Sequence, residues 1–477
     1  MTKREHVVQV HVDSLADRNS RTRLFLALVT VALVAIAAVG AEKVNRRDAS
    51  RIALARQLAL QGAELRDINA EKAARLGAAA VRIHSDDQTR SALADTLIAP
   101  YRTDLPGTGI VRAVALSGDG RLAMTGATGE KVTLWDLGAR SALYLGGGPF
   151  DPQRLAVLDG TRDVEALALT SNGRTALTGG RDGSAILWDL TDPSHPVKLA
   201  TSARDSFDRV DDVALAQDGK TALVGYTHVY SSVGAAAVWD LTRKSRPAGY
   251  SSLTGHRSWL QGLALSADGQ TAVTVSDGAA FVWDLTGRPS IVRSAALEYS
   301  DHYQESVALS SDGRIALIGS SASVADVWDL SDRSHPVHRA SVEDDFHDVF
   351  AVALSRDGRT ALTGGTHGLV ILWDLSDPSH PVRLAALRGH TNGVEAVALS
   401  EDGRIALTGS INGGAQVWDL SAVDKDPLRS ACMHTSALQG VTIDALKFDQ
   451  VATGPVNGRE EWSAYFDNGR YFRPCSE

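Results

Sequence analysis

The sequence predicts a mainly β fold, a ring of seven four-stranded blades, and three observations predict it. Seven of the nine tryptophans stand in Trp-Asp-Leu triplets, at Trp135, Trp188, Trp239, Trp283, Trp328, Trp373 and Trp418. Successive triplets lie 53, 51, 44, 45, 45 and 45 residues apart, a period that suits one four-stranded unit per repeat. Ahead of each triplet runs an apolar segment and then a turn, most often Leu-Ser-x-Asp-Gly. A single unit cannot bury both faces of its sheet, so the units must stack around an axis.

From the N-terminus, residues 1–23 form a polar tail and 24–41 an uncharged run broken only by Thr30 and Gly40. Its many Leu, Ile, Val and Phe residues sum to roughly −4 kcal/mol for insertion at a helix centre. Its length meets the lower limit for a transmembrane helix. The competing reading is a cleavable signal peptide ending near Val39-Gly-Ala41, but the length of the run and of its polar lead favour an uncleaved anchor. Arg18, Arg21 and Arg23 precede the run, whereas Lys43, Arg46, Arg47, Arg51 and Arg56 follow it. That balance places the ring in the cytoplasm by the positive-inside rule. The only cysteines, Cys432 and Cys475, fall in a C-terminal tail of residues 431–477. They read as a disulfide of an oxidising compartment, or else as two unrelated buried thiols. The cysteines tip the expectation to a single-pass cell-membrane protein with an extracytoplasmic ring.

Residues 42–100 read as a helical stalk. Ile52, Leu54, Ala55, Leu58, Ala59 and Leu65 make one apolar face, and Ala73, Leu76, Ala80 and Ile83 a second behind a cap at Asn69. Ser85-Asp-Asp-Gln88 has the form of a capping box for a third helix through Leu93 and Leu97. Packing of the stalk against the ring edge is expected, with an interaction module as the alternative.

The last repeat shows how residues 101–430 build blades. Gly393–Ser400 is an apolar inner strand, Asp402-Gly403 turns the chain, Ile405–Ser410 returns, and Ala415–Leu420 carries the triplet. Asp-Gly between two apolar runs signals a hairpin because glycine accepts positive φ. Tyr101–Leu105 sits where an outer strand precedes the first blade, so it is expected to close the ring on the last one.

With these residues in place, the chain resembles WD40 repeat proteins over residues 101–430. That resemblance implies a seven-bladed WD40 propeller with a Trp, Ser/Thr, His and Asp network inside each blade. The fourth blade is similar to the full set, with His256, Thr274, Asp277 and Trp283. The seventh keeps His390, Thr408 and Trp418 but has Asn412 at the acidic position. The other five lack the Gly-His pair, so packing is expected to hold them. The order of apolar span, helices around Ser50-Arg51, blades, and a tail with Glu461-Trp462, Tyr465 and Tyr471–Cys475 is similar to membrane-anchored WD40 modules of actinobacterial STAND-type signalling proteins. The nucleotide-binding domain of that group is missing. Gly219-Lys220-Thr221 is not a P-loop, because Ala214 stands where its first glycine belongs.

Catalytic motifs are absent: no His-Glu-x-x-His, Gly-x-Ser-x-Gly or Cys-x-x-Cys is present. His195, His335 and His380 recur in Ser-His-Pro turns of different blades and are expected to be structural rather than metal ligands. With 48 basic against 57 acidic side chains, nucleic acid has no electrostatic support as a partner. No enzyme activity, metal or cofactor is expected.

Register points to a binding face instead. One column along the inner strands holds Arg112, Glu165, Asp211, Gln261, Glu305, Phe350 and Glu395. Two residues earlier lie Ile110, Asp163, Arg209, Trp259, Tyr303, Asp348 and Gly393, on the same side of each strand. In WD40 proteins these columns point to the top face near the channel. Trp259, Tyr303 and Phe350, with Arg209, Tyr226, His228 and Tyr230, are therefore expected to form an aromatic partner-binding patch. Packing between blades is the alternative for each aromatic. The expected function is a non-enzymatic, membrane-anchored scaffold that binds a protein or peptide on its top face. The alternative is a ligand-sensing regulatory subunit of a STAND-like system acting through a separate effector.

Overall fold

The structure, a computed structural model, describes residues 48–423 apart from 67–69, 99–101, 130, 139–149, 162, 203–208, 229–232, 245–246, 289, 299–302, 344–347, 413 and 422. The described chain forms three helices and then seven four-stranded antiparallel sheets. Blade one runs from β2 (Val111–Leu116) to β5 (Gln153–Leu158), blade two from β6 (Val164–Leu169) to β9 (Val197–Thr201), and blade three from β10 (Arg209–Leu215) to β13 (Ala248–Leu253). Blade four spans β14 (Leu260–Leu265) to β17 (Val292–Glu298), blade five β18 (Gln304–Leu309) to β21 (Val337–Glu343), and blade six β22 (Val349–Leu354) to β25 (Val382–Arg388). Blade seven takes β26 (Val394–Leu399), β27 (Ile405–Ser410) and β28 (Gly414–Asp419) from the end of the ring and its outer strand, β1 (Arg102–Leu105), from the beginning. Arg102 pairs with Trp418 and Leu105 with Ala415. Closure by the segment before blade one is thus as the sequence implied, and it completes blade seven from both ends of the ring.

In five blades the hairpin at the end of the inner strand is held by the serine ahead of its Asp-Gly pair; blade two uses Thr170 with Asn172, and blade three has Ala216 there. In blade seven Gly403 (φ +71°) donates its N–H to Ser400 C=O at 2.9 Å, Ser400 Oγ donates to Asp402 at 2.6 Å, and Ile405 N–H returns to Ser400 Oγ at 2.9 Å. The aspartates of the seven triplets have a separate task. Each accepts the backbone N–H two residues on, from Asp136 to Gly138 through Asp419 to Ser421, and so fixes the turn into the outer strand.

The triplet tryptophans fill the seams between blades. Trp373 packs among Leu317, Val327 and Val349, and Trp135 among Leu407, Val417 and Val111. Trp135, Trp188, Trp283, Trp373 and Trp418 also donate Nε1–H to Thr125, Thr178, Thr274, Thr363 and Thr408, at 2.8–3.2 Å. Blades one, two and six therefore keep a polar tie without the histidine, beside the packing expected to be their main support. Val224 and Ile318 occupy the threonine position beside Trp239 and Trp328.

Helices α1 (48–65), α2 (Ala70–Ile83) and α3 (Asp87–Ile98) fold as one unit around Leu54, Leu58, Leu76 and Ala80. The capping box opening α3 is one residue later than expected: Asp86 Oδ1 accepts Thr89 N–H at 2.8 Å and Thr89 Oγ1 accepts Asp86 N–H at 3.0 Å. This segment docks on the outer edge of blade six. Ala94 and Ile98 join the core of Val370, Leu387 and Trp418, and Asp95 accepts the Ala386 N–H at 2.6 Å. Burial pushes the Asp95 carboxyl up to about 6.

The single-pass localisation expected from the sequence is corrected here. No helix among the described residues is long and apolar enough to cross a membrane. The run at 24–41 lies outside the described residues, as do Cys432 and Cys475.

Candidate partner-binding site on the ring axis

Every inner strand carries one β-bulge at the same place. The extra residues are Arg112, Glu165, Asp211, Gln261, Glu305, Phe350 and Glu395. A bulge bends its strand and re-aims a side chain. All seven line a cavity of about 470 Å³ to which every blade contributes. The first column of the sequence reading therefore converges on the ring axis, and the bulges are what bring it there.

At the other end of the inner strands, the hairpins bond to one another around the axis. Gly118 N–H donates to Ser171 C=O, Gln217 to Ala267, Ala267 to Ser311, Ser311 to Arg356, Arg356 to Glu401 and Glu401 to Gly118, all at 2.9–3.0 Å. Gln217 Nε2 also reaches past blade four to Ser311 Oγ at 3.1 Å. This belt rings one end of the axis, and the cavity with its mouth lies toward the other, where the bulges are.

Most charges on the wall are paired. Arg112 meets Glu395 at 3.4 Å, an ion pair across the seam between the first and last blades. Arg181 pairs with Glu165, and Arg209 lies 2.7 Å from Asp211 and 3.6 Å from Glu165. Thr227 Oγ1 donates to Asp211 at 2.5 Å, yet burial pushes that carboxyl up to about 6. Asp212, which the sequence reading passed over, also lines the cavity. Its carboxylate accepts Leu263 N–H at 2.7 Å and Val213 N–H at 2.8 Å, while burial, reinforced by Asp211, pushes it up to about 7. The other six blades have Ala113, Ala166, Gly262, Ser306, Ala351 and Ala396 there. Aligning the repeats reveals that one carboxylate among small residues. Arg181 stands in a turn between strands and left no such signal.

The expected aromatic patch is only partly assembled. Trp259 and Tyr303 are exposed, at 39% and 60%, just ahead of the inner strands of adjacent blades. The Arg209 guanidinium sits 5.4 Å from the Trp259 ring centroid, within range of a cation–π contact. Phe350 is half-buried on the cavity wall. Tyr226 does not belong to the exposed face: it is 9% exposed, paired with Val210 in the sheet and edge-on to His228 at 5.3 Å. Tyr230 lies outside the described residues.

The buried histidines bond within their own blades. His256 bonds Thr274 and Ser276, each at 2.7 Å, and burial holds its pKa down at about 4. Asp277 is not its partner; that carboxylate accepts from Ser258 at 2.6 Å. His390 bonds Thr408 at 2.7 Å and is likewise held at about 4. His195, His335 and His380 each pair with the aspartate three residues earlier, at 2.9–3.0 Å, in exposed turns.

The structure is thus a seven-bladed repeat propeller whose axial cavity is lined by charged side chains and Phe350. This chain carries WD40 repeats: residues 152–189, 250–284, 340–374 and 381–419 match the family described as WD domain, G-beta repeat. Over 109 residues, 22% of its length, it is 42% identical to NAD(+) hydrolase ApTIR of Actinoplanes sp.. Over 126 residues, 25% of its length, it is 30% identical to small ribosomal subunit protein RACK1 of Caenorhabditis elegans. These matches span 14% and 35% of the two relatives. The WD40 propeller is generally a non-enzymatic scaffold fold that binds protein partners.

Proposed function

We propose that this chain is a non-enzymatic interaction scaffold whose protein or peptide partner docks over the mouth of the axial cavity. The observation that carries this reading is the exposure of Trp259 and Tyr303 on adjacent blades beside that mouth. Large rigid aromatics anchor interfaces at low entropic cost. Arg209 holds Trp259 from below, and Phe350 extends the apolar surface inward. The test is affinity capture with the full chain, comparing the native protein with the Trp259→Ala/Tyr303→Ala double variant. Loss of the captured partner, with an unchanged melting curve, supports the reading; unchanged capture overturns it.

A second reading is a ligand-sensing regulatory subunit acting through a separate effector. The axial cavity and the partial similarity to NAD(+) hydrolase ApTIR of Actinoplanes sp. favour it. A small molecule that raises the melting temperature, and loses that effect when Asp211 is replaced, would support this reading over the first.

A further inference from the structure

We propose that Asn392 is a site of spontaneous modification, at which the Gly393 backbone nitrogen closes on the Asn392 carboxamide and converts it to a carboxylate. The reaction needs no partner protein, so it is independent of the docking proposed above.

The argument begins from two copies of one dipeptide. Asn-Gly suits this ring closure because glycine has no Cβ to hinder approach to its own nitrogen. The sequence holds five such pairs, and both residues are described at two of them, Asn172-Gly173 and Asn392-Gly393. The fold treats these two oppositely. In blade two, Gly173 stands at φ +68° and donates its N–H to Thr170 C=O at 2.8 Å. Asn172 Oδ1 is turned elsewhere, accepting Arg174 N–H at 3.0 Å and the Thr170 hydroxyl at 2.9 Å. Nitrogen and carboxamide are both engaged there, with different partners.

In blade seven they are engaged with each other. Gly393 N–H donates to Asn392 Oδ1 at 2.8 Å, and among the described residues it reaches no backbone carbonyl. An N–H faces only an acceptor, so the side-chain oxygen lies toward Gly393 and the NH2 group points away from it. The backbone on both sides is held. Ser410 Oγ lies 2.9 Å from Gly393 C=O and 3.1 Å from Asn392 C=O. Small rotations of the Asn392 side chain then carry Cγ onto the nitrogen, a placement that an unfolded chain meets only at random. Asn392 is half-buried next to the exposed Thr391, so water reaches it.

The atoms balance without an oxidant or reductant. Gly393 N gives its proton to water and bonds Cγ, the Cγ–Nδ2 bond breaks, and Nδ2 takes up a proton and leaves as ammonia. Water then opens the resulting succinimide at either of its carbonyls, giving aspartate or isoaspartate. The new carboxylate stands just ahead of β26, close along the chain to Glu395 and its ion pair with Arg112.

The experiment holds the full chain in mildly alkaline buffer and follows each asparagine by peptide mapping, which reads the mass change from amide to acid. A parallel sample is kept unfolded in guanidinium. In the folded chain Asn392 should convert at least about tenfold faster than Asn172, because only one of the two is positioned for attack. In guanidinium the two rates should converge. Gly393→Ala should slow conversion at Asn392 and leave Asn172 unchanged. The added methyl would meet no atom nearer than Phe350 Cε2 at 3.7 Å, so that variant should fold, as overlaid melting curves would establish. Equal rates at the two sites in the folded chain overturn the proposal. So does a preference of the same size in guanidinium, which would make it a property of the flanking sequence, or conversion at Asn392 indifferent to Gly393→Ala.

Discussion

Asp212 and Leu263 join two blades through a single contact: the Asp212 carboxylate of blade three accepts the backbone N–H of Leu263 in blade four at 2.7 Å. Six blades have a small residue at that position, so this seam alone replaces packing with a buried charge. The arrangement opposes itself. The hydrogen bonds favour the carboxylate, but burial pushes the group up to about 7, and burial prevails.

Asp212→Asn keeps an acceptor for Leu263 and removes the charge. A carboxyl raised on folding contributes stability below about pH 4, and that contribution is lost as pH rises through about 7. The variant should therefore gain on the native protein between pH 5 and 8, on the order of 2 kcal/mol. Urea unfolding at both pH values measures the difference. A gap that does not change with pH would rule out a charged Asp212 in the folded seam.

Threonine beside the triplet tryptophan should matter unequally among blades. In blade one Thr125 accepts from Trp135, and no histidine is bonded to it. In blade seven Thr408 serves both Trp418 and His390. Thr125→Val should cost about 1 kcal/mol, and Thr408→Val about 2–3, because two buried groups lose their partner. Blades three and five already carry Val224 and Ile318 there, so the apolar shape fits. Equal costs in denaturant titrations would contradict the shared role of Thr408.

His256 and His390 predict a loss of stability in acid. Both are held at about 4 by burial, against an ordinary value near 6.5. Their contribution is complete above pH 6.5 and falls away as pH drops from there towards 4. Between pH 7 and 5 each should cost on the order of 1 kcal/mol, and His256→Gln/His390→Gln should flatten that slope. Melting temperatures of the native protein and the double variant across this range give the comparison. Parallel slopes would mean that neither ring is neutral by burial.

Much of the architecture was legible because it repeats. A triplet near every 45 residues implies one blade each, and a residual strand at 101–105 had only blade seven to complete. Misreadings arose where a single residue decides. The capping box moved from Ser85 to Asp86 because Thr89 faces that side of the turn. The place of Tyr226 near a long turn predicts that it lies on the exposed face. The eight-residue strand Thr221–His228 instead continues the pairing past it, and its side chain is buried.

The sequence by itself determined the seven blades, the closing strand and the column of residues that meets at the axis, because period and alternation are local properties written seven times. Only the tertiary structure decided which carboxylates there are neutralised. Arg112 reaches Glu395, 283 residues away, through closure of the ring, and Arg181 reaches Glu165 through the fold of a turn. Charge pairing depends on distance in space, which falls steeply in effect beyond a few ångströms and has no period along the chain. Among the described residues no cation pairs with Glu305, for the same reason: Arg112, Arg181 and Arg209 pair with other carboxylates.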